Sequence, residues 1–152
     1  MRSRVIAVIG AGDCDARDAE LACEVGRLLA LAGCTLLTGG LGGVMEAASR
    51  GAAEAGGLVV GVLPGSSAGE ANPHVQVAVA TGIGDARNAV LANTAEGFVA
   101  VSGSYGTLSE IAFALKRGKR VVALGSWEVD PKVVRVASPE EAVRRVLEST
   151  GD

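Results

Sequence analysis

Apolar residues in this 152-residue chain fall into two alternating kinds of run. Short unbroken runs such as Val5-Ile6-Ala7-Val8-Ile9 have the pattern of strands buried on both faces of a parallel sheet. Longer segments between them repeat apolar residues at helical spacing. In residues 16–32, Leu21, Val25, Leu28, Leu29 and Ala32 form one stripe, and Gly33 is the stop. Thr35-Leu36-Leu37 reads as the second strand. A small-residue helix over 44–55 follows, with Val44, Ala47, Ala48, Gly51, Ala52 and Ala55 along one face. Residues 58–63 form a third strand stopped by Pro64, and 64–74 read as a surface loop. Residues 75–79 are a short strand, and 86–95 a helix with Asp85 as its cap. Runs at 98–101, 120–124 and 133–136 complete the strands. Helices follow two of them, one ending at Lys116-Arg117-Gly118 and one opening at Ser138-Pro139. The alternation predicts one α/β domain over residues 1–152. Its fold class is a doubly wound parallel sheet with helices on both faces and a ligand crevice at the carboxyl ends of the strands.

Glycine is the compositional deviation: 22 residues, about 14 % of the chain and roughly twice average usage. The glycines gather where strands end. Gly10-Ala11-Gly12-Asp13, Gly39-Gly40-Leu41-Gly42-Gly43 and Ser102-Gly103-Ser104-Tyr105-Gly106-Thr107 are three such turns, all expected to open on the crevice. The third leads into a helix whose Leu108, Ile111, Ala112 and Leu115 recur at i, i+3, i+4 and i+7. Unpaired N–H groups and the helix dipole at such a start attract a phosphate, and Ser102, Ser104 and Thr107 add hydroxyls. Gly103 and Gly106 allow close approach. Thr107-Leu108-Ser109-Glu110 also fits a capping box, so Glu110 is either a cap or a functional carboxylate. Arg87, a cation in the first turn of its helix, pairs locally with Asp85 or faces a ligand phosphate or partner carboxylate.

Several classes are excluded. The dinucleotide fingerprint places its third glycine at Asp15, and the second strand ends at Thr38-Gly39 without the ribose-binding acid. Gly118-Lys119 is followed by Arg120, so there is no P-loop. His74 is the single histidine and the three cysteines, Cys14, Cys23 and Cys34, lack metal-ligand spacing, which predicts no metal site. Reduced thiols and no targeting or membrane-spanning segment predict a cytoplasmic protein with no membrane partner. A net charge of −3 and 3 % aromatic content argue against nucleic acid. The featureless face of the helix over 44–55 predicts association of copies through that helix.

Gly39-Gly40-Leu41-Gly42-Gly43-Val44-Met45-Glu46-Ala47, Thr81-Gly82-Ile83-Gly84-Asp85-Ala86-Arg87-Asn88 and Ser102-Gly103-Ser104-Tyr105-Gly106-Thr107-Leu108-Ser109-Glu110, in that order, resemble the LOG superfamily. That group holds the "Lonely guy" phosphoribohydrolases, long labelled lysine decarboxylases, and the molybdenum-cofactor carrier proteins. The resemblance implies a Rossmann-like sheet, a homo-oligomer (dimer or tetramer) and a phosphorylated small-molecule ligand at the glycine turns. The ligand is a nucleotide or the molybdenum cofactor, with no other cofactor required. It also implies catalytic roles for Glu110 and Arg87 if the chain is a hydrolase of nucleoside 5′-monophosphates. Ser102 and Ser104 replace the Pro and second Gly of the hydrolase motif Pro-Gly-Gly-x-Gly-Thr-x-x-Glu, and Asn88 replaces a Lys. These departures are closer to the carrier branch. The decarboxylase label fails because a pyridoxal enzyme needs a positioned Schiff-base lysine. Of Lys116, Lys119 and Lys132, the first two read as the end and exit of a helix.

Overall fold

The apolar runs become the strands of one seven-stranded, all-parallel sheet in the computed structural model, which describes residues 2–148. In chain order the strands are β1 (Val5–Gly10), β2 (Thr35–Thr38), β3 (Val59–Leu63), β4 (Val77–Ala80), β5 (Gly97–Val101), β6 (Arg120–Leu124) and β7 (Val134–Arg135). The helices are α1 (Ala16–Leu31), α2 (Val44–Glu54), α3 (Arg87–Thr94), α4 (Tyr105–Lys116) and α5 (Pro139–Leu147). Sheet order is β4-β3-β2-β1-β5-β6-β7, so the winding reverses between β1 and β5. At such a reversal the crossovers leave in opposite directions and open a crevice beyond the strand ends.

Each central strand is buried on both faces, as an unbroken apolar run requires. Ile6 and Val8, with Val99, Val101, Val122 and Leu124, face α1, α2 and α5. Ala7 and Ile9, with Phe98, Ala100, Val121 and Ala123, face α3 and α4. The expected fold class is therefore the one observed.

The small-residue face of α2 is spent inside the chain. Val44, Ala47, Ala48, Gly51 and Ala52 are buried in the same core as α1. A Cβ on Gly51 would stand 1.9 Å from the Cys23 carbonyl oxygen, and one on Gly26 would stand 2.1 Å from that of Ala48. The two helices thus touch backbone to backbone, and the surface expected for self-association is already used.

Local boundaries differ in instructive ways. The helix expected from residue 86 begins as a 3-10 turn over Gly84–Ala86, and Asp85 does not cap it. Gly82 and Gly84 take positive φ, and their amides donate to the carbonyls of Gly65 and Pro64, at 2.9 Å each. This fixes the segment against the loop after β3 and puts Asp85 inside the turn. Strand β4 starts two residues later than expected, at Val77. No helix among the described residues is long and apolar enough to cross a membrane, and Cys14, Cys23 and Cys34 are free thiols.

Gly51→Ala is expected to lower unfolding free energy by about 1–3 kcal/mol, because the methyl must push two backbones apart. Urea unfolding checks this; an unchanged midpoint would show that the helices are not in enforced contact.

Candidate functional site

The three glycine turns follow β2, β1 and β5, three neighbours in the sheet that flank the reversal. Gly10 is where β1 squeezes between β5 and α2: a Cβ there would lie 2.4 Å from the Val101 carbonyl oxygen and 2.6 Å from Val44 Cγ1. The next two turns touch each other. Val44 N–H donates to the Ala11 carbonyl at 3.0 Å. A Cβ on Gly43 would come within 2.3 Å of that oxygen, and one on Gly42 within 3.3 Å of the Gly12 carbonyl oxygen. Gly12 has room, since a Cβ there would come no nearer than 3.9 Å to Met45 Cε. Gly40 packs on Leu63, and its amide donates to Thr38 Oγ1 at 2.7 Å.

The third turn starts its helix earlier than the sequence pattern implies. Ser102 (φ 55) and Gly103 (φ 133) both take positive φ, which swings the chain directly from β5 into α4. Ser104 is the N-cap, and its amide donates to the hydroxyl of Thr107 at 3.4 Å. Capping is thus performed one turn upstream of the expected Thr107–Glu110 pair. Thr107 is buried with its hydroxyl committed to the cap, Tyr105 stands out in solvent, and Gly106 faces open space.

Glu110 is released from capping and buried, 8 % exposed. Among the described residues no hydrogen-bond donor reaches its carboxylate. Burial raises its pKa to about 7, against the opposing pull of the Arg87 charge. Arg87, the first residue of α3, is equally buried. Its Nε donates to the Val62 carbonyl at 2.9 Å, a second guanidinium nitrogen to the Gly39 carbonyl at 3.5 Å, and the third to Asn88 Oδ1. It makes no ion pair with Asp85 among the described residues, so the local-pair reading fails. The guanidinium also explains Gly39, where a Cβ would stand 2.7 Å from its nitrogen.

Asn88 extends this cluster to the third turn. Its Nδ2 donates to Ser109 Oγ at 3.2 Å, and that hydroxyl donates to the Gly106 carbonyl at 2.7 Å. Sequence reasoning missed two further residues. Asn72 is buried, and stitches the loop expected at the surface onto the second turn: its amide donates to the Gly40 carbonyl at 2.8 Å and its Nδ2 to that of Leu41 at 2.9 Å. Trp127 donates its indole N–H to the Ser104 carbonyl at 3.0 Å. Asn72 carries no periodic signal, whereas a sole tryptophan just past a strand end is a usable one.

Other reactive groups lie apart from this cluster. A cavity of about 390 Å³ is lined by Gly12, Asp13, Cys14, Glu46 and Arg50 among others. Burial, then the charges of Asp18, Asp15 and Asp13, push the Cys14 thiol up and away from the reactive thiolate. Lys119 donates to the Asn93 and Ala95 carbonyls, just before the amino end of β5 and so opposite the crevice.

Because the native state holds a proton on Glu110 more tightly than the unfolded chain does, its contribution favours folding below about pH 4.5. That contribution is lost as pH rises toward about 7. Glu110→Gln removes the slope. Relative to this variant, the native chain is expected to lose about 2.5 kcal/mol between pH 5 and pH 8, at no more than about 1.4 kcal/mol per unit. Urea unfolding at the two pH values measures it, and parallel profiles would contradict it.

The geometry has close counterparts. An uncharacterized protein of Archaeoglobus fulgidus is 43 % identical over 150 residues, covering 99 % of both chains. The molybdenum cofactor binding protein of the phototrophic bacterium Rippkaea orientalis superposes with a TM-score of 0.92 at 35 % identity, over 97 % of this chain and 98 % of that one. The molybdenum cofactor carrier protein of Chlamydomonas reinhardtii gives 0.89 at 36 %, again over 97 % and 98 %. The sequence model of the SLOG cluster4 family matches residues 3–150, nearly the whole length. With its parallel sheet and ordered glycine turns, the chain belongs to the SLOG cluster4 family.

Proposed function

We propose that this protein binds a phosphorylated small molecule, a pterin cofactor of the molybdenum-cofactor type or a nucleotide, as a carrier. The observation that carries the reading is Gly106. It sits in the first turn of α4 without positive φ, and a Cβ there would meet nothing within 4 Å. Glycine inside a helix costs roughly 0.5–1 kcal/mol relative to alanine, and neither packing nor backbone conformation requires it here. Close approach of a ligand to the backbone does. Free N–H groups at this helix start would hold the phosphate, with the buried Arg87 charge behind them. The Rippkaea neighbour is a molybdenum cofactor binding protein and the Chlamydomonas neighbour a carrier of that cofactor, which supports the pterin class. Ser102, Ser104 and Asn88 depart from the hydrolase motif in the same direction.

One observation favours a second reading, a phosphoribohydrolase that releases free base from nucleoside 5′-monophosphates. Glu110 and Arg87 lie close enough to act on each other, and a carboxyl with a pKa of about 7 suits proton transfer to a leaving base. An assay for free base across a panel of nucleoside monophosphates separates the two. The carrier reading expects no turnover. Robust release, lost in Glu110→Gln with phosphate binding intact, would replace it with the hydrolase.

Two outcomes test the binding itself. AMP, GMP or a pterin monophosphate at millimolar level is expected to raise the melting midpoint, since a ligand of the native state must stabilise it. Gly106→Ala is expected to raise stability by up to about 1 kcal/mol while weakening that ligand effect. Unchanged ligand stabilisation in Gly106→Ala would remove the phosphate from this turn.

A further inference from the structure

The chain has one tryptophan, one tyrosine and two phenylalanines. Phe98 is fully buried in β5, and Phe113 packs against the α3/α4 side of the core. The other two meet at the edge of the third glycine turn. Tyr105, the first residue of α4, is 82 % exposed. Trp127, which follows β6, stacks on it with ring centroids 6.2 Å apart and planes at 28°. The indole N–H donates to the carbonyl of Ser104, the α4 N-cap, so the pair is anchored to the turn read above as the phosphate site.

Single exposed aromatics need no explanation. A second, independent observation sits beside this pair. A cavity of about 170 Å³ is lined by Ser102, Gly103, Gly125, Ser126 and Trp127. Ser126 lines it, and its hydroxyl, shielded from solvent, has no hydrogen-bond partner among the described residues. A buried hydroxyl left without a partner is costly, and native structures seldom leave one so. A turn of the Ser126 side chain toward the cavity would bring that hydroxyl to a donor or acceptor on the edge of a bound group and relieve the cost.

We propose that this cavity, walled by Trp127 and floored by Ser126, seats the planar heteroaromatic ring of the phosphorylated ligand. The assignment rests on the phosphate reading of the adjacent turn and extends it to the ligand's other end. A cavity of this size is close to the engineered void of about 150 Å³ that takes up benzene. It accommodates one six-membered ring of a bicycle. A pterin or purine meets each requirement: a flat π-face for the indole, and N–H and C=O groups on the rim for the serine hydroxyl. Base–aromatic stacking tolerates different rings, so Trp127 provides affinity for the ring class and Ser126 orients it. The larger cavity at Asp13, Glu46 and Arg50 has no aromatic wall and no unpartnered hydroxyl, and does not compete for this role.

Because Trp127 is the only tryptophan, its fluorescence reports this site alone. The full chain is titrated with GMP, with a pterin monophosphate and with ribose 5-phosphate, which keeps the phosphate and lacks the ring. The ring-bearing ligands are expected to quench Trp127 saturably and to bind at least tenfold more tightly than ribose 5-phosphate. In Trp127→Ala, followed by thermal shift, that ratio is expected to fall to near one. Trp127→Phe, which keeps a stacking face, should recover most of it, and Ser126→Ala should reduce it several-fold. Ribose 5-phosphate binding as tightly as both ring-bearing ligands would overturn the ring site while leaving the phosphate site standing. A ratio unchanged in Trp127→Ala would also overturn it. Failure of all three ligands to stabilise the chain would overturn both.

Discussion

A buried guanidinium governs this site. Arg87 lies almost out of solvent, where an unsatisfied charge would cost several kcal/mol. Oxygen atoms at strand ends satisfy it: the carbonyls of Val62 in β3 and of Gly39 just after β2, with the side-chain oxygen of its neighbour Asn88. The side chain therefore closes two adjacent strands onto α3, and a Cβ at position 39 would press on the guanidinium and on Met45 Sδ. Through Asn88 and Ser109 the same cluster reaches the first turn of α4. Carbonyl dipoles satisfy the hydrogen bonds of a cation without cancelling its charge. Glu110, a carboxyl close enough to feel it, is itself pushed toward the neutral form by burial. What remains at the reversal of the sheet is a positive field beside a helix N-terminus, and an anion answers both.

That balance distinguishes holding a ligand from transforming it. Backbone N–H donors and a fixed, tethered arginine would suit a phosphate, and the tether leaves the arginine little freedom to follow a moving charge. Asn88 contributes to the tether by accepting from the guanidinium, and its own amide is spent on Ser109. The aromatic pair stands at the same turn, joined to it by the Trp127 indole. Phosphate and ring would thus be gripped by one short segment, residues 102–107 with the strand end after β6. That economy suits a binding protein.

Much of the architecture is legible in the sequence because unbroken apolar runs have few alternatives to buried parallel strands. The errors share a cause: a one-dimensional pattern shows that a face is small or that a cap is available, but not what meets it. The stripe on α2 reads as a surface for a second copy because its complement, Gly26 in α1, looks in sequence like nothing more than a weak helix former. Thr107 and Glu110 fit a capping motif, yet positive φ at Ser102 and Gly103 brings the helix forward one turn and gives the cap to Ser104. Arg87 is visible as a cation in the wrong place, and the carbonyls that justify it come from residues 25 and 48 positions away. Asn72 is hidden for the same reason, since its bonds reach back 31 and 32 residues.

The central claim is that the anion sits at the start of α4, over Arg87 and Glu110. The most direct measurement is a crystal structure with a nucleoside 5′-phosphorothioate, whose sulfur locates the phosphate by anomalous scattering. The sulfur is expected within hydrogen-bonding reach of the backbone N–H groups of Gly103, Tyr105 and Gly106, those of Ser104 and Thr107 being spent on the cap. Anomalous density in the cavity at Asp13, Glu46 and Arg50 instead, with the turn after β5 empty, would contradict it.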